Sequence, residues 1–310
     1  MLNEWNENGA IVQGENYVHM LNEHGWNWKK LILAIFAYAA SFVIVVAVSM
    51  IGIGLILTVC GYGSAYWKVL VSGDFESLKY GEKIYDVILF ALFPAGILAN
   101  RIVFKSKKAE LISFTGKARW KWIAPCSLIL VPVMVVGMVI QEMINKPFEI
   151  ELTSKAAITI ALTFFFTPLQ CMGEEMFFRG WLLQVFGPIF KNKKISWLIF
   201  GIGASIFFSV MHEPVNVFVT MSLALFGILA CALIYITGGL EAGIIMHTVN
   251  NSVLFIISNL AKGGRDFTAA GAVGDAATKD AIMTMIGNVI YFLVVVWLWK
   301  RYQKKQNEEI

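Results

Sequence analysis

An all-α bundle of about eight membrane-spanning helices is the fold this sequence predicts. Composition gives the first reason: of 310 residues, 58% are hydrophobic and only 15% charged, with a mean hydropathy of +0.68. A soluble domain carries about 25% charged residues, so this surface would not stay in water. The second reason is a succession of apolar runs near the roughly 20 residues a helix needs to cross a bilayer. The third is that basic residues gather on alternate connections, as they do in polytopic membrane proteins.

Read in order, the spans fall at about 31–60, 84–104, 122–141, 156–172, 195–212, 215–236, 240–260 and 282–299. The first is long enough to tilt or to extend past the bilayer. The fourth continues through Glu174 and Glu175 to about residue 187. Only Glu213 and Pro214 separate the fifth from the sixth, which calls for a tight turn at one face. Residues 262–281, rich in Gly, Ala, Asp and Thr, read as a flexible external loop before the last span. The chain divides into a polar N-terminal segment (1–30), one transmembrane bundle (31–302, with a catalytic core of about 156–260) and a polar tail (303–310).

Most of the 25 basic residues fall in four places: Lys29 and Lys30, the stretch Arg101 to Lys121, Arg179 with Lys191, Lys193 and Lys194, and Lys300 to Lys305. The intervening loops are diluted by acids such as Asp74, Glu82, Glu149 and Asp275. This asymmetry expects a multi-pass protein of the cell membrane with both termini in the cytoplasm. The net charge of +4 gives no case for nucleic acid. Cys60, Cys126, Cys171 and Cys231 lie in or beside different apolar runs and form no CxxC pair, so they read as small buried side chains.

Three charges inside six residues interrupt the fourth span, in Gly-Glu174-Glu175-Met-Phe-Phe-Arg179-Gly. On insertion scales each charge at the centre of a span costs roughly 2.5–3.5 kcal/mol, so such groups mark a site. Glu175 and Arg179 stand four apart on one helical face and are natural partners. Glu174 is left on a neighbouring face beside Phe177 and Phe178, placed to serve as a general acid or base. His212 closes the fifth span, with Phe208 one turn before it to back the imidazole. His247 lies in the seventh span and shares a face with Asn251, while Asn250 is turned about 100° away toward a neighbouring helix. His19 and His24 lie in the polar N-terminal segment and read as solvated.

Glu174-Glu175-x-x-x-Arg179, Phe208-x-x-x-His212 and His247-x-x-x-Asn251 resemble, in this order, the three motifs of the CAAX-protease and bacteriocin-processing family, also called the Abi or type II CAAX prenyl endopeptidase family. The resemblance covers about residues 156–260. It implies a helical bundle round a polar catalytic cavity. It implies an intramembrane endopeptidase in which Glu174 activates water with His212 beside it, His247 and Asn251 stabilise the oxyanion, and Glu175, Arg179 and Phe208 support them. The partners expected are the lipid bilayer and a membrane-embedded or prenylated protein or peptide substrate. No obligatory cofactor is expected, although Glu174, His212 and His247 could complete a zinc site. Serine, aspartyl and site-2-type signatures are missing: Gly203-Ala204-Ser205-Ile206 lacks the final glycine of GxSG, and His212-Glu213 is followed by Pro-Val-Asn rather than HExxH. Two other functions fit the same polar set, an ion-coupled transporter and a non-catalytic immunity or regulatory protein of this fold.

Overall fold

A computed structural model describes residues 14–78, 80–106, 108–145, 149–262 and 275–308. Among these residues the regular structure is helical. Eight helical stretches are long and apolar enough to cross a membrane, which makes this a multi-pass membrane protein: Trp28–Val59, Glu82–Phe104, Trp120–Ile140, Ser154–Ile189, Lys193–Met211, Val217–Thr237, Glu241–Leu260 and Thr278–Lys305. Each coincides with a span read from the sequence.

The helices are α1 (Trp28–Val59), α2 (Gly63–Ser72), α3 (Glu82–Phe90), α4 (Leu92–Phe104), α5 (Trp120–Asn145), α6 (Ser154–Glu175), α7 (Leu182–Phe186), α8 (Lys193–Ser196), α9 (Ile202–Met211), α10 (Val217–Thr237), α11 (Glu241–Leu260) and α12 (Asp275–Glu308). Side-chain caps set several starts. The Asn27 side chain accepts from the Lys30 amide, Thr153 from Ala156, and Asn216 from Val219. Each ties down an amide that would otherwise be left without a partner at a helix N-terminus.

The second span breaks at Ala91 into α3 and α4, and α2 is a short helix of 10 residues between the first two spans. Residues 263–274, most of the expected external loop, lie outside the described residues. Its end differs from the expectation, since Asp275 already begins α12. Cys126, Cys171 and Cys231 are buried as expected, but Cys60, at the end of α1, is exposed.

The N-terminal segment departs further from its sequence reading. Tyr17, Val18 and Leu21 are buried in one of the bundle's apolar clusters with Trp181, Leu183 and Trp197. The Tyr17 hydroxyl donates to the Leu111 carbonyl, and the Trp26 indole to that of Val185. His19 and His24 are therefore only partly solvated: His19 Nε2 bonds Ser196 Oγ at 3.2 Å and His24 Nε2 bonds Glu110 Oε2 at 2.9 Å. Three apolar side chains scattered among acids gave too weak a periodic signal to reveal this docking, yet their burial is what fixes the two histidines.

In the bundle, α6 packs between α3 and α11, α9 pairs with α10, and α5 and α12 pack together, each of them also meeting one helix of the α10–α11 hairpin. The Glu151 amide donates to the Leu260 carbonyl at 2.8 Å, so α6 begins where α11 ends. The two helices thus run antiparallel, and the His247 level of α11 is brought to the Glu174–Glu175 end of α6.

Candidate active site

The site forms where α6 gives way to a π-helical turn, Met176–Trp181. Such widened turns are frequent at functional positions. Glu175 and Arg179 still meet across it: Arg179 Nη1 donates to Glu175 Oε1 at 3.0 Å, with both side chains wholly buried. The guanidinium also lies 4.1 Å from the Phe208 ring centroid and 5.5 Å from that of Phe226. These aromatic faces attract the cation and share in replacing its lost hydration. Gly227 lets the helix of Phe226 come this close; a Cβ there would stand 2.8 Å from Arg179 Nη2.

Glu175 Oε1 also lies 3.0 Å from His247 Nδ1. An ionised carboxylate can only accept, so Nδ1 carries a proton and the ring turns Nε2 toward the interior. His212 is fixed in the same sense from the other side. Its Nδ1 lies 2.8 Å from the Phe208 carbonyl oxygen, another pure acceptor, and its ring packs at a tilt against that of Phe208, with centroids 4.3 Å apart. The two imidazoles therefore present Nε2 to one place, and Glu174 Oε2 is there, 4.0 Å from His212 and 3.9 Å from His247.

Glu174 itself is 4% exposed. Its Oε1 accepts from Gln170 Nε2 at 2.8 Å, while Oε2 is buried with no hydrogen-bond partner among the described residues. A buried carboxylate oxygen without a partner is rare and asks for an explanation such as catalysis. His212, with 34% of its side chain exposed, gives the cluster a way out.

Glu174, Glu175, Arg179, Phe208, His212 and His247 are thus brought together from three separated segments. Asn251 lies one turn from His247 on α11, half-buried, and its side-chain carbonyl accepts from Asn250 Nδ2 at 3.2 Å. Asn250 therefore bonds its neighbour rather than another helix, and it holds Asn251 with its amide hydrogens free of that bond. Gln170 escaped the sequence reading, though its position four residues before Glu174 in an apolar run was a usable signal.

A zinc ion would stand 2.0–2.1 Å from each histidine nitrogen. Among the described residues, no three His, Cys, Asp or Glu side chains are gathered as metal ligands are.

An acid held by an amide is thus faced by two oriented imidazoles inside a multi-pass membrane protein. Residues 154–253 match the family model described as type II CAAX prenyl endopeptidase Rce1-like. The three motifs lie within this segment, and the family implies a CAAX-type protease. The chain is also 27% identical over 253 residues, 77% of its length and 81% of the other's, to a Bacillus subtilis (strain 168) protein called uncharacterized protein YyaK. No solved structure is a significant match.

Proposed function

We propose that this protein is a glutamate-dependent intramembrane endopeptidase of the cell membrane, with both termini cytoplasmic. It hydrolyses a peptide bond in a membrane-associated or lipid-modified protein or peptide. The observation that carries this reading is the unpartnered Glu174 Oε2, held in place from behind by Gln170 and faced by the Nε2 atoms of His212 and His247.

Each residue then has a step. Glu174 takes a proton from water, His212 orients that water, and the resulting hydroxide adds to the substrate carbonyl carbon. His247, protonated at both ring nitrogens with its charge balanced by Glu175, donates from Nε2–H, and together with the Asn251 amide it meets the developing oxyanion, a stabilisation worth roughly 2.7–4 kcal/mol per donor. Glu174 returns its proton to the leaving amine as the C–N bond breaks. Glu175 and Arg179 fix the His247 ring throughout. A carboxylate base in a water-poor site is effective because nothing reorganises around it during the reaction.

The test uses the purified protein in proteoliposomes with a farnesylated peptide ending in a CAAX sequence, alongside mass spectrometry of membrane peptides from cells. Wild type should release new peptide termini. Glu174→Ala and His247→Ala should release none while inserting normally, and a chelator should leave the wild-type rate unchanged. Unaltered membrane peptides in Glu174→Ala cells, together with an uncleaved probe, would sink the reading.

A further inference from the structure

Beyond the catalytic cluster, α6 carries a row of polar atoms without partners. Thr159 Oγ1, Thr163 Oγ1, Thr167 Oγ1 and Gln170 Oε1 have no hydrogen-bond partner among the described residues, and the row ends on Glu174 Oε2. Their residues are 5%, 0%, 0%, 8% and 4% exposed. Spacings of four, four, three and four keep them on one helical face, over about 22 Å at 1.5 Å per residue.

That face looks into a seam between two neighbours. On α6, Gly173 meets the Leu89 carbonyl of α3, and Glu175 meets His247 of α11. At 100° per residue, the polar row lies between these two directions. Across the seam, α3 supplies a buried ion pair, Lys83 Nζ to Asp86 Oδ2 at 3.1 Å. Lys83 Nζ also lies 5.2 Å from the Phe255 ring centroid on α11. The end of the row away from Glu174 opens beside Thr153 and Ser154, which are exposed.

A polar atom buried without a partner costs about 1–3 kcal/mol, so a face meant only for packing would carry Val or Ala. Helical hydroxyls commonly escape this cost by bonding the carbonyl four residues back. Ser205 does so to Gly201 at 2.6 Å and Thr237 to Leu233 at 2.8 Å. The three threonines of α6 do not.

Hydrolysis consumes one water for each bond broken, and the site's accessible side is at His212. A substrate lying over Glu174 covers that side. We propose that the α3–α6–α11 seam is the water path of the enzyme. A single file of waters enters beside Ser154, bonds in turn to the three threonine hydroxyls, the Lys83–Asp86 pair and Gln170, and reaches Glu174 while substrate is bound. The path's purpose rests on the endopeptidase reading; its hydration does not.

X-ray radiolytic footprinting of the full-length protein in proteoliposomes reads hydration directly, because residues beside internal water are oxidised fastest. Phe255, at the seam, should be labelled several-fold faster than the outward-facing Phe164 and Phe165. The double variant Thr163→Val/Thr167→Val, which keeps side-chain shape, should lose that excess. Its kcat on the farnesylated CAAX peptide should fall about tenfold with KM unchanged, the pattern of a step beyond binding. Thr163→Ser should keep the wild-type values, and equal thermal midpoints would exclude misfolding. If Phe255 is labelled no faster than Phe164, the seam is dry and the proposal fails. Excess labelling with unchanged kcat in the double variant also overturns it, since the water present would not feed the reaction. Excess labelling in a protein that cleaves nothing would leave the hydrated path standing and remove the endopeptidase reading instead.

Discussion

Gln170 donates its side-chain amide to Oε1 of Glu174 at 2.8 Å, so the carboxylate is held from behind while its other oxygen faces the two imidazoles. This relationship makes Gln170 a positioning residue. Gln170→Ala should lower kcat by about 10²-fold, the cost of misplacing a reacting group by an ångström or so, with KM nearly unchanged. Gln170→Asn, whose amide is one methylene too short, should not rescue it. Cleavage kinetics in proteoliposomes decide this; a pure rise in KM would show that Gln170 binds substrate instead.

Glu175 stands between Arg179 and His247, and all three are buried. Arg179→Met leaves the Glu175 charge without its strongest partner, so it should destabilise the bundle by about 3–5 kcal/mol. Adding Glu175→Gln should recover a large part of that loss of stability, because the stranded charge is gone, but should not restore cleavage. Thermal unfolding in detergent measures the first effect and peptide release the second. Additive losses in the double variant would mean the pair is not coupled.

Gly173 precedes the Glu pair, and a Cβ placed on it would collide with the Leu89 carbonyl of α3. Gly173→Ala must therefore push α3 from α6 at the level of the site. The cost expected is about 1–3 kcal/mol, typical of overpacking, with a larger proportional fall in cleavage. Gly203, whose Cβ would meet nothing within 4 Å, provides the control: Gly203→Ala should leave both quantities unchanged.

The N-terminal clasp should loosen in acid. Burial holds the His19 imidazole below the usual histidine range; the Gly187 carbonyl partly offsets this and Lys193 adds to the lowering. A group whose folded-state value is depressed contributes stability above its unfolded pKa of about 6.5, and loses it as pH falls toward the folded value. Residues 14–25 should become more susceptible to protease as pH falls below about 6.5, and His19→Gln should flatten that dependence. A clasp that tightens in acid would contradict the sign.

The spans were legible because lipid imposes a length and an apolar composition that few other environments demand. The run 217–237, for example, is marked at both ends by Asn216 and Gly238 and carries no charge between them. Glu174, His212 and His247 were legible for the converse reason, since ionisable groups in such runs are costly and therefore few. Gln170 and the threonine row were harder to see, because neutral polar side chains in a span are common and only their missing partners set these apart.

The sequence by itself determined the class of protein, the number of spans and the segments that bear the acid and the imidazoles. All of these follow from transfer energies and helical periodicity, which act residue by residue. Only the tertiary structure decided which oxygen of Glu174 is free, which nitrogen each histidine presents, that Tyr17 draws the N-terminal segment onto the bundle, and that α3 and α11 close over one polar face of α6. Those outcomes depend on contacts between residues far apart in the chain, such as Glu175 with His247 and His24 with Glu110, and no local pattern encodes such a distance.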